Sequence, residues 1–182
     1  GALKALACNL MKIANDVRWL ASGPRDGLGE IFIPENEPGS SIMPGKVNPV
    51  IPEVVTQVAF RVMGNDVTIS MAVEAGQFEL NAFEPVVFDA LFQSITAMTG
   101  AVQTLTVNCV EGITANEERC RELVDGSVGV ITAICPKVGY KESADIAKKA
   151  ISTGASVREV LRSTGLFSDE EIQKILDPET MV

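Results

Sequence analysis

Apolar residues recur at helical spacing through most of this chain. Leu3, Leu6, Leu10, Ile13, Val17 and Leu20 stand three or four positions apart, which predicts an amphipathic helix over residues 3–20. Gly23 and Pro24 are its stop signals. A polar loop follows to Asn48, and Pro49 and Pro52 then suit the first turn of a second helix, where a missing N–H costs nothing. Beyond it Val55, Val58, Val62, Ile69 and Val73 keep the rhythm, with Ala59, Met63 and Met71 widening the stripe. Continued to Gln77, this helix is roughly 40 Å long at 1.5 Å per residue. Val87, Leu91, Ile95, Met98, Val102 and Leu105 predict a third helix, from about Phe83 to Asn108. Helices apolar over so much of their circumference need neighbours on several sides. The expectation is an all-α fold, with long helices of a bundle completed by other segments or subunits.

After Gly112 the texture changes to short, punctuated elements. Thr114 with Glu117, Ser156 with Glu159, and Ser168 with Glu171 each have capping-box spacing, and Gly154 and Gly165 stand where helices should end. Residues 112–182 are therefore expected as a small all-helical C-terminal domain behind a bundle portion at 1–111. Residues 135–140 are expected as a turn, with Tyr140 packed. Phe78 to Asn81 is expected as a turn between helices.

Composition narrows the function. With 46% hydrophobic residues in 182, the chain can bury a core, and its formal charge of −9 argues against nucleic acid or an anionic membrane as partner. No run of eighteen apolar residues occurs, so no membrane span is expected. The four cysteines match neither a zinc pattern nor a dense disulfide framework and are expected as reduced thiols of a cytoplasmic protein. There is no histidine, so an imidazole base or ligand cannot come from this chain. Asn9, Lys12, Asn15 and Asp16 interrupt any signal-peptide core, and a start in mid-helix is expected of a piece of a longer protein.

The candidate chemistry lies in residues 39–53, GSSIMPGKVNPVIPE. Two serine hydroxyls, Lys46 and Asn48 on a Gly/Pro backbone can gather around a small anion. A nucleotide loop is excluded, because five residues separate Gly39 and Gly45 where a P-loop has four, and Val47 replaces its Ser/Thr.

Gly39, Ser40, Ser41, Met43, Pro44, Lys46, Asn48 and Glu53 together resemble the signature loop of the fumarase/aspartase superfamily. IANDVRWLASGPRDGLGEI before the loop and GQFELN after it extend the resemblance over essentially the whole chain, as the C-terminal portion of such a lyase. Within the superfamily, Val50-Ile51-Pro52-Glu53 is closer to aspartases than to class II fumarases. The resemblance implies elimination of ammonia from L-aspartate to give fumarate, through an aci-carboxylate and without a cofactor. Fumarate hydration is the alternative, and a non-catalytic helical assembly module is a third reading.

By the same resemblance Ser40 is the general base for the Cβ proton. Ser41 contacts the β-carboxylate, and Lys46 and Asn48 hold the α-carboxylate. Glu53 orients a histidine contributed from outside this chain, in a homotetramer whose sites are shared between subunits. Gly39 and Gly45 are expected hinges of a lid, and no metal-ligand cluster is visible. Taken singly, the residues also have plainer readings. Ser40 and Ser41 suit a turn, Lys46 a solvated charge and Glu53 a first-turn helix acid. Arg18 and Arg25 suit surface ion pairs.

Overall fold

The computed structural model describes residues 1–23, 26–37, 39–40, 43–44 and 47–181, without the side chains of Ser40 and Pro44. The chain divides into two compact units, Gly1–Asn116 and Glu117–Val182.

Three long helices form the first unit: α1 Ala2–Leu20, α2 Val50–Glu74 and α3 Glu84–Asn108. Their sequences place small residues where the backbones meet. Ala7, Ala14, Ala59 and Ala101 are almost wholly buried, so the helices approach closely, and Val17, Val55, Val62, Met98 and Leu105 fill the remaining space. Each such aliphatic side chain contributes about 1.5–3 kcal/mol on burial. Among the described residues Thr56, Asn65 and Ser94 are the buried polar side chains of this unit. The Asn65 amide on α2 donates to the Ala90 carbonyl at 3.2 Å and to Ser94 Oγ at 3.0 Å, tying α2 to α3.

The loop between α1 and α2 carries three strands of two residues, β1 Ile31–Phe32, β2 Gly39–Ser40 and β3 Met43–Pro44. β2 and β3 pair antiparallel as a small hairpin, with Ser40 opposite Met43. Gly39 opens it at φ +103°, a backbone setting that side-chain-bearing residues rarely adopt. β1 pairs with β4, Thr114–Ala115, placing Phe32 opposite Thr114. This pairing keeps residues 112–116 with the first unit and puts its edge after Asn116, past the expected 111. It also removes Thr114 from helix capping: α4, Glu117–Gly126, starts beyond a strand rather than beyond a capping threonine. Close packing supports the ladder from behind, since a Cβ on Gly112 would lie 2.4 Å from Pro34 Cγ.

The second unit contains α4, α5 Cys135–Val138, α6 Tyr140–Thr153, α7 Val157–Thr164 and α8 Asp169–Ile175 around Ile134, Ile146, Val157, Leu161 and Ile172. The boxes at Ser156/Glu159 and Ser168/Glu171 form with both reciprocal hydrogen bonds, and Gly154 and Gly165 end α6 and α7 in the left-handed conformation. Residues 135–138 form a helical turn before Gly139 rather than an open turn. Tyr140 is exposed within this chain instead of packed.

The expected turn after α2 forms, with Gln77 and Leu80 exchanging backbone hydrogen bonds. Broad apolar faces remain uncovered on the long helices, including Phe60, Val67 and Met71 on α2 and Phe88, Phe92 and Val107 on α3. Among the described residues one segment, Glu84–Gly112, is long and apolar enough by length and composition to cross a membrane. Asp89, Gln93, Ser94, Gln103 and Asn108 interrupt it, so the expected absence of an unbroken run of eighteen apolar residues holds beside this high average.

Candidate active site

The root of the signature loop opens onto a cleft of about 1080 Å³ inside the first unit. α1 supplies Asn15, Arg18 and Trp19; the segment leading into α2 supplies Val47, Asn48 and Pro49, and the first turn of α2 supplies Glu53. Met43, the hairpin partner of Ser40, also lines it. Asn116 closes the base, its side chain donating to the Gly29 carbonyl at 2.9 Å and its N–H to the Glu30 carbonyl at 2.8 Å.

Helix electrostatics place the charged pair in this cleft. Arg18 occupies the last turn of α1 and Glu53 the first turn of α2, so each sits at the helix end that favours its charge. They meet at 3.5 Å, Arg18 Nη2 to Glu53 Oε1. Both side chains are about two-fifths exposed (41% and 40%), so the pair adds at most about 1 kcal/mol to stability. The expectation of an ion pair for Arg18 is met, with the predicted catalytic glutamate as partner.

The positive end of α2 faces the same space. Pro49, the residue at the N-cap, makes no side-chain cap; Pro52 has no N–H, and the N–H groups of Val50 and Glu53 are taken by the carbonyls of Asn48 and Pro49. A helix beginning this way retains a partial positive charge at its start, suited to an anion. Asn48, half-buried beside it, donates from Nδ2 to Glu37 Oε1 at 2.7 Å.

Of the expected site residues, the structure brings Asn48 and Glu53 together in one cleft and sets the Gly39–Ser40 backbone in the adjoining hairpin. The Ser40 side chain and all of Ser41, Gly45 and Lys46 lie outside the described residues, as does Arg25. Among the described residues no group of His, Cys, Asp and Glu is arranged to hold a metal ion. Sequence reasoning did not pick out Glu37 or Asn116. An acid two residues before the loop glycine was the available signal for Glu37, but its contact with Asn48 spans eleven positions and is invisible without the turn.

Comparison with known proteins agrees with this geometry. A family model described as lyase matches residues 1–64, and one described as fumarase C C-terminus matches residues 130–182. A Bacillus sp. protein named aspartate ammonia-lyase is 56% identical over 99% of this chain and 38% of its own length. A Bacillus anthracis protein named fumarate hydratase class II is 52% identical over 100% of this chain and 39% of its own. A solved structure of a fumarate lyase:delta crystallin from Brucella melitensis, bound to cobalt, superposes with a TM-score of 0.93 at 50% identity, covering 98% of this chain and 39% of that one. The chain thus spans about two-fifths of the length of the curated relatives it matches. With the loop, the helical architecture and these relatives in accord, the chain belongs to the fumarase/aspartase superfamily of lyases.

Proposed function

We propose that this chain is the loop-bearing portion of an aspartate ammonia-lyase, converting L-aspartate to fumarate and ammonia. The observation that carries the reading is the meeting of Asn48 and Glu53 at the positive end of α2, beside the serine hairpin.

The reaction removes a proton next to a carboxylate, so the carboxylate must take up a second negative charge as the C–H bond breaks. Ser40 takes the Cβ proton, and the electron pair left behind becomes the aci-carboxylate. That pair then forms the Cα–Cβ double bond as the C–N bond breaks, and the C–N electrons leave with the nitrogen as ammonia. Ser41 supports the β-carboxylate, while Lys46 and Asn48 hold the α-carboxylate against the start of α2. Fixed donors aimed at developing charge are the largest available source of rate in such a step. Deprotonation by a serine requires that its oxyanion be favoured, which a neighbouring ammonium and exclusion of water by a closing hairpin provide. Gly39, at φ +103°, offers a hinge for that closure.

The site is incomplete on this chain. Glu53 is suited to orient an imidazole, and no histidine exists in the sequence, so that group arrives from elsewhere. Shared sites in a homotetramer satisfy this need and also cover the apolar faces of α2 and α3, exposed here at Phe60, Met71 and Phe92. The chain alone is accordingly inactive. Fumarate hydration is the second reading, supported by the relative named fumarate hydratase class II.

The test is the full-length protein offered L-aspartate and L-malate separately, with fumarate followed by its ultraviolet absorbance. Fumarate from aspartate alone supports the proposal. Fumarate from malate alone replaces it with the hydratase, and neither activity returns the chain to a structural role.

A further inference from the structure

Asn48 reaches the cleft already engaged on one side. Its Nδ2 donates to Glu37 Oε1 at 2.7 Å, and both side chains are half-buried. The backbones beneath them are fixed independently. Asn36, just before Glu37, donates from Nδ2 to the carbonyls of Pro34 at 3.1 Å and Asn108 at 3.0 Å. The Gly39 N–H donates to the Glu37 carbonyl at 2.8 Å, and the Val50 N–H to the Asn48 carbonyl at 2.9 Å. The contact thus ties the neck of the hairpin to the start of α2.

Its chemistry is one-directional. A glutamate carboxylate at neutral pH only accepts, so it engages the NH₂ of Asn48 and never the carbonyl oxygen. A primary amide has two N–H groups. One is held by Glu37; the second remains for an acceptor in the cleft that Asn48 lines. With Glu37 absent, the amide is free to turn over and present its oxygen, which repels an anion.

We propose that Glu37 is a positioning residue for substrate recognition, holding the Asn48 amide in the orientation that donates to the substrate carboxylate. This rests on the reading of Asn48 as a ligand of that carboxylate. It adds a residue that touches no reacting atom but sets the geometry of one that binds, the role partner groups play behind primary ligands.

The experiment uses the full-length protein with Glu37→Ala, Glu37→Gln, Asn48→Ala and the Ala/Ala double variant, measuring kcat and KM for L-aspartate and Ki for succinate, a dicarboxylate with no leaving group. Glu37→Ala is expected to raise KM and Ki about tenfold, the loss of one charge-assisted hydrogen bond. Glu37→Gln, whose carbonyl still accepts, should fall between wild type and Ala, and it serves if the Ala variant does not fold. The double variant should be no worse than Asn48→Ala, because the two residues act through one contact. Unchanged KM and Ki in the Glu37 variants, or additive losses in the double, overturn the inference while leaving Asn48 as a ligand. An Asn48→Ala variant with unchanged KM and Ki overturns the role of Asn48, and this inference with it.

Discussion

Replacing Asn65 tests whether a single buried amide sets the register of α2 against α3, and with it the position of Asn48 and Glu53. Asn65 is 8% exposed, Ser94 only 3%, and the amide makes two hydrogen bonds while Ser94 Oγ itself donates to the Ala90 carbonyl at 2.7 Å. In Asn65→Ala two bonds are lost at about 1 kcal/mol each, and the small cavity adds about 1 more, giving roughly 2–3 kcal/mol. Ser94 keeps the Ala90 carbonyl as partner, so nothing is left orphaned. Asn65→Leu fills the space with apolar atoms and should cost less, about 1 kcal/mol. Asn65→Asp sets a carboxylate against a carbonyl in a buried site and should cost most, about 3–5 kcal/mol. Urea unfolding followed by far-ultraviolet circular dichroism, at one fixed protein concentration, reads the series. The order Asp, Ala, Leu from worst to least is the diagnostic. A cost below about 0.5 kcal/mol for Ala, or a Leu variant worse than Ala, would refute a register role for this contact.

Three further outcomes are expected. Ser156→Ala removes a cap and should cost about 1 kcal/mol. The backbone N–H of Ser156, followed by its hydroxyl, holds the Glu159 carboxyl below its usual value, and Ser168 does the same for Glu171. A folded-state value lowered in this way stabilises above the unfolded carboxyl's pKa, about 4.3, and the contribution disappears as pH falls through the lower folded value. An acid titration should therefore show the second unit losing stability below about pH 4.3, and Ser156→Ala should shrink that dependence; a pH-independent difference between the two proteins would contradict it. Gly112→Ala forces a Cβ to within 2.4 Å of Pro34 Cγ and should cost about 1–3 kcal/mol, read as a lowered urea midpoint. Lys46→Ala in the full-length protein should reduce turnover by an amount equivalent to about 2.7–4 kcal/mol while leaving assembly intact by size-exclusion chromatography.

What the sequence disclosed was mostly local. Gly154, Gly165, Ser156 and Ser168 mark helix ends through contacts within four residues, and each is where it was expected. The long helices were legible too, because three-to-four spacing needs only the helix itself. Thr114 failed as a cap because it pairs with Phe32, a partner eighty-two positions away that no local pattern encodes. The edge of the first unit moved for the same reason. At the site, Asn48 and Glu53 were legible by resemblance, and their convergence in one cleft follows from α2 starting where the loop ends. Glu37 escaped notice because its role depends on where the Asn48 amide points. Arg18 was visible as a surface cation, but its partner Glu53 lies on another helix, and only packing of α1 along α2 brings the two within 3.5 Å.

The central claim of the proposal is that Ser40 of this chain removes the proton, with the histidine that Glu53 orients supplied from outside the chain. It is tested most directly by turnover of saturating L-aspartate in full-length wild type and Ser40→Ala, with succinate binding measured on both. A general base contributes about 10²–10⁴-fold, so the account predicts a loss of at least that size with succinate binding unchanged. Turnover by Ser40→Ala within a fewfold of wild type would contradict it.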